Sequence, residues 1–155
     1  MLFPRLSARD LEGKDLDLPS AFSLPLTVAL IAFDRHQQTL VDSWMPWLEQ
    51  QMTSHEGLAV VELPTIARRW APFRPVIDGG MAASIKIPKI LQRTWTIYGD
   101  VRKLTTPLNI STRSTITVIL VERGGVVLWQ GSGPFSEERA AQLGDVIGRY
   151  WPKIS

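Results

Sequence analysis

Two apolar runs of strand length bracket one amphipathic segment, and this arrangement limits the fold more than any other feature of the chain. The runs are residues 27–33 (Thr-Val-Ala-Leu-Ile-Ala-Phe) and 57–63 (Gly-Leu-Ala-Val-Val-Glu-Leu). Neither alternates apolar with polar residues, as expected of strands covered on both faces. Between them, residues 37–52 place Leu40, Val41, Trp44 and Leu48 on one helical face. Strand, helix, strand is a βαβ unit, with parallel strands and a right-handed crossover. Pro46 falls inside the helix and is expected to kink it. Pro64 is expected to end the second strand.

The remaining segments are arranged around this unit. Residues 1–25 read as an irregular lead-in with a short hairpin over 11–16, turning at Glu12-Gly13-Lys14. Residues 66–74 read as a helical turn or loop. Asp78-Gly79-Gly80 opens a helical stretch through Leu91, interrupted at Pro88. Residues 94–98 alternate as a half-buried strand, and 104–110 form a loop or single turn. The β-branched run 115–121, the turn Glu122-Arg123-Gly124-Gly125 and residues 126–130 make a hairpin. Ser136 caps a last helix, with Glu137 and Glu138 in its first turn and a stripe of Ala140, Leu143, Ile147, Tyr150 and Trp151. The predicted order is β–α–β–α–(β)–β–β–α. It gives an α/β three-layer sandwich, a central mixed sheet with helices on both faces. At 155 residues this is one domain, 1–155, with a core over 26–155.

Composition excludes whole classes of chemistry. There is no cysteine, so thiol oxidoreductase and peroxidase activity, disulfides and thiolate metal sites are excluded. Two histidines, His36 and His55, are too few for a polyhistidine metal centre. No cofactor and no metal are called for. No apolar stretch reaches the ~20 residues of a transmembrane helix, so no direct membrane insertion is expected. Residues 1–10 lack the apolar region of a secretory leader, and a cytoplasmic setting is the expectation. The net charge of +2 is too small for a nucleic-acid arm. Lys86, Lys89, Arg93, Arg102 and Lys103, beside Trp95 and Tyr98, read as a solvated face, and no nucleic-acid partner is expected.

The element order resembles the thioredoxin-like superfamily, and several segments resemble its peroxiredoxin-like (AhpC/TSA) branch. The resemblance rests on the lead-in hairpin, Pro46 in the first helix, Thr-Ile-Tyr-Gly-Asp (96–100) with Leu-Asn-Ile (108–110), and Ile-Leu-Val-Glu-Arg-Gly-Gly-Val-Val-Leu-Trp (119–129). Val-Asp-Ser-Trp (41–44) and Val-Val-Leu-Trp-Gln-Gly-Ser-Gly (126–133) are similar to the mitochondrial ATP synthase assembly factor group. Redox-active members carry Cys-x-x-Cys where the first strand hands over to the first helix. Matched through Pro46, those positions here are Gln38 and Val41. The family's cis-proline falls near Ile116, within Ser-Thr-Ile-Thr (114–117), where this chain has no proline. Both halves of a redox site are missing.

What remains at this edge is a set of candidate binding residues: Asp34, Arg35, His36, Gln38, Val41, Trp44 and Trp47, with Arg113, Thr115 and Ile116 opposite. They suit an anion at the start of the first helix, aided by Arg35. The plainer reading is a capping Asp34 beside solvated Arg35 and His36. His36, Asp42 and Ser43 supply the residue types of a hydrolytic triad, but neighbours in one helix do not converge. The acids are scattered, and Asp78-Gly79-Gly80 lacks the lysine of a phosphate loop. Of six tryptophans, at least one is expected to be exposed for association. The sequence therefore points to a redox-inactive protein-interaction factor of the assembly or chaperone type, with homodimerisation a further possibility. The alternative is a small anionic-ligand module, or a non-thiol enzyme, at the first helix.

Overall fold

The computed structural model describes residues 1–67 and 93–154. The elements are β1 (Leu6–Asp10), β2 (Asp15–Leu18), β3 (Leu26–Ala32), α1 (Gln38–Ser54), β4 (Leu58–Ala67), β5 (Trp95–Gly99), α2 (Arg102–Thr105), β6 (Thr117–Glu122), β7 (Val127–Ser132) and α3 (Glu137–Ile154). A 3-10 turn, Arg35–Gln37, leads into α1. The strands form one mixed seven-stranded sheet in the order β2-β1-β5-β4-β3-β6-β7. β3 and β4 run parallel and β6 and β7 antiparallel, as the βαβ and hairpin halves predict, and β6 joins β3 antiparallel.

The apolar run around β3 forms an interior strand of the sheet, next to the middle strand β4, and is covered on both sides. Leu26, Val28 and Leu30 join Val41, Trp44 and Leu48 of α1 and Ala140, Leu143 and Ile147 of α3. Ala29 and Ile31 face the other way, onto Phe3, Phe22, Leu104 and Leu108. Period-two alternation sends neighbouring residues of one strand into two different cores.

The structure corrects three sequence expectations. The lead-in is not irregular: its hairpin pairs Leu6–Asp10 with Asp15–Leu18, and β1 also joins β5. The Asp10 carboxylate closes that turn by accepting from the Glu12 and Lys14 amides at 3.0 and 2.9 Å. Pro64 does not end β4. It stands opposite Ala32, the last residue of β3, so its missing N–H falls at the end of that ladder. β4 then continues beside β5 through Thr65, Ile66 and Ala67, where a turn was expected from residue 66. The helical stretch from Asp78-Gly79-Gly80, most of 66–74, Trp70, Lys86, Lys89 and the Trp151 side chain lie outside the described residues.

Candidate functional site

The candidate edge forms where β3 hands over to α1. Asp34 leaves the strand with extended backbone, and its Oδ1 accepts the His36 amide at 2.7 Å. The carboxylate therefore occupies the place an anion would take at this turn, the capping arrangement the residue types suggested. Arg35, His36 and Gln38 are exposed. Gln38 Nε2 donates to Asp42 Oδ1 at 2.9 Å, one helical turn on.

Between the exposed residues sits one that the sequence reading passed over. Gln37 is 6% exposed. Its Oε1 accepts the Phe33 amide at 2.8 Å, and its Nε2 donates to the Arg113 carbonyl at 2.7 Å. The side chain thus satisfies the last backbone donor of the strand and ties the helix start to the loop before β6. No spacing rule separates Gln37 from the polar residues around it; the signal is the need of a strand end for an acceptor.

The structure brings Asp34, Arg35, His36, Gln38, Arg113 and the half-buried Thr115 to one edge. It does not bring Val41, Trp44 or Ile116 to the surface. Their exposures are 2%, 0% and 0%. Val41 and Trp44 are the inward face of α1, and Ile116 packs against that same core. Trp44 Nε1 donates to the Gly133 carbonyl at 3.1 Å, and its ring packs edge-on against Trp47 and Phe135. Trp47 is half-buried against Gly144 of α3. The expected exposed tryptophan is not found among the described side chains, where the large exposed apolar residues are Met1, Leu2 and Leu24.

The triad residue types are also committed elsewhere. The Ser43 hydroxyl donates to the Leu40 carbonyl and accepts the Phe135 amide, while Asp42 holds Gln38. Beneath the helix start, Glu62 of β4 accepts from the Thr94 hydroxyl at 3.4 Å. Burial, and then the nearby Asp42 charge, push the Glu62 carboxyl above its ordinary range; Arg93 and hydrogen bonds from Gln38 and Thr94 only partly offset this. Among the described residues no group of three His, Asp or Glu is placed to hold a metal ion, and no helix is long and apolar enough to cross a membrane. The peptide bond into Ile116 is trans.

Comparison with solved structures decides the fold. BsSco, a member of the Sco family of cytochrome c oxidase assembly proteins, superposes with a TM-score of 0.60 at 14% identity, covering 96% of this chain and 94% of its own. The chain has the thioredoxin-like fold. A putative thiol:disulfide interchange protein DsbE from Chlorobium tepidum gives a TM-score of 0.58 at 15% identity, covering 94% of this chain and 92% of that one. The exposed lipoprotein thioredoxin Etrx1 of Streptococcus pneumoniae gives 0.57 at 12%, covering 93% and 98%. No family model and no curated protein matches the sequence. The thioredoxin-like frame here contains no thiol, because the chain has no cysteine.

Proposed function

We propose that this chain is a redox-inactive thioredoxin-like factor that binds another protein at the edge formed by residues 34–38 and 113–115, in an assembly or chaperone-type role. The observation that carries the reading is the Gln37 bridge. It holds the helix start and the Arg113 loop together, although no thiol is left between them for that geometry to serve. Around it stand exposed Asp34, Arg35, His36, Gln38, Thr112 and Arg113. That polar and charged edge suits a partner surface of complementary charge.

BsSco belongs to a family of cytochrome c oxidase assembly proteins, which supports an assembly function without a shared substrate. The finer likeness to the peroxiredoxin-like branch and to the ATP synthase assembly factor group belongs to this reading, resting on the segments 41–44, 96–100 and 126–133. So does a cytoplasmic setting. Cell fractionation tests that setting, since one structural neighbour is an exposed lipoprotein.

The test uses a photo-reactive amino acid at Gln38 in cells, followed by mass spectrometry. A single partner is expected to crosslink, and to be lost when Arg35→Glu and Arg113→Glu are combined. Both positions are exposed, so the pair leaves the core intact. Crosslinking that is absent, or unchanged by the charge reversals, overturns the reading.

A further inference from the structure

A groove of about 600 Å³ lies on the β2–β1–β5 flank of the sheet, where the start of β1, the end of β2 and the end of β5 meet. Its volume lies in the range of small-molecule sites, and it is an open, largely polar groove rather than an enclosed apolar cleft. It opens beyond the carboxyl end of the parallel strand β5, the side on which α/β sheets usually hold ligands.

Arg5 and Lys103 line the groove, are exposed, and form no ion pair among the described residues, although the Lys103 charge also acts on Asp100. Asp100, also in the lining, is already matched. Arg102 grips its carboxylate at 3.1 and 3.0 Å and adds its own amide at 3.0 Å, which holds the Asp100 carboxyl below its ordinary range. Asp17, the other acid in the lining, forms no ion pair among the described residues, and it stands opposite Ser7 in the β1–β2 ladder. Ser7 and Ser20 add hydroxyls.

Gly99 completes the lining. Its φ of +134° is open to glycine, and a Cβ there would meet nothing within 4 Å. Packing therefore does not require the glycine. Its backbone conformation does, and the result is a bare stretch of main chain facing open space, which a ligand can approach closely.

We propose that this groove binds a small hydroxyl-bearing oxyanion, with Arg5 and Lys103 holding the carboxylate or phosphate and Asp17 accepting from a ligand hydroxyl. The chemistry is charge-assisted hydrogen bonding by two cations, oriented by one acceptor. The site is separate from the Asp34–Gln38 edge, where Asp34 itself fills the anion position.

The experiment titrates the isotopically labelled protein with citrate and, separately, with glycerol 3-phosphate, at ionic strength fixed with sodium chloride. Amide shifts of Leu6, Ser7, Gly99 and Asp100 are followed by NMR. Saturable shifts confined to these amides are expected, and the tighter of the two probes identifies the oxyanion. The combined Arg5→Gln and Lys103→Gln variant is expected to bind at least about tenfold more weakly. Arg35→Ala is expected to bind as the wild type does. Non-saturating shifts with both probes, or binding retained in the double variant with an unchanged fold, overturn the proposal. So does binding lost in Arg35→Ala.

Discussion

Gln37 and Arg113 lie 76 positions apart, and the Gln37 amide nitrogen donates to the Arg113 carbonyl oxygen at 2.7 Å. With its own oxygen held by the Phe33 amide, the side chain has a partner at each end and is almost closed to water. Replacing Gln37 by Ala leaves one strand donor and one loop acceptor without a partner. An unsatisfied buried polar group costs about 1–3 kcal/mol. Gln37→Ala is expected to lower stability by about 2 kcal/mol in urea unfolding, and to speed hydrogen exchange at Phe33. A loss below about 0.5 kcal/mol would show that water replaces both bonds.

Trp44 is expected to behave as a core residue. Its ring is fully buried, and its Nε1 holds the Gly133 carbonyl. Trp44→Phe keeps most of the apolar contact and drops one hydrogen bond, a loss of about 1–3 kcal/mol. Trp44→Ala adds a cavity and costs about 3–5 kcal/mol. Denaturation midpoints of the two variants check this order. Equal effects would mean that the ring's packing contributes nothing beyond the hydrogen bond, and an unchanged midpoint in Trp44→Phe would mean that the indole nitrogen contributes nothing.

The sequence made the frame legible and left much of the edge hidden, for separate physical reasons. The central strand, α1, the β6–β7 hairpin and the Ser136 cap were readable, because each has a local signature of periodicity, turn chemistry or capping. The Arg139 amide does donate to the Ser136 hydroxyl, at 3.1 Å. The passage of β4 beyond Pro64 was not readable, because it depends on where a neighbouring strand stops. Gln37 was hidden for the same reason, since its partner comes from a distant loop. The tryptophans misled because residue type does not say which side of a helix is covered. Trp44 faces the sheet, and Trp47 meets Gly144 of α3.

Gly133 links the two halves of the edge through its backbone. Its N–H donates to the Ile116 carbonyl at 2.9 Å, and its carbonyl accepts from Trp44. It does so at a φ of +99°, where a side chain is strained, and a Cβ would also stand 3.4 Å from the Arg139 guanidinium. Gly133→Ala is expected to cost about 1–2 kcal/mol, mostly from the backbone. Arg139→Ala in the same background should recover little of that loss. Full recovery in thermal melts would place the cost in the side-chain contact instead.

Glu62 gives the domain a pH dependence of definite sign. Its carboxyl is pushed above the ordinary value of 4.5, first by burial and then by the Asp42 charge. The folded protein therefore holds this proton more tightly than the unfolded chain does. The resulting stability is fully present below pH 4.5 and is lost as pH rises through the higher folded value. Glu62→Gln removes the charge and keeps an acceptor for the Thr94 hydroxyl. The variant is expected to gain stability over the wild type at neutral pH and to lose that advantage in acid. Urea midpoints of both proteins at pH 4 and pH 7 decide it. An advantage equal at both pH values would mean that the buried carboxylate carries no penalty, and that any gain comes from packing alone.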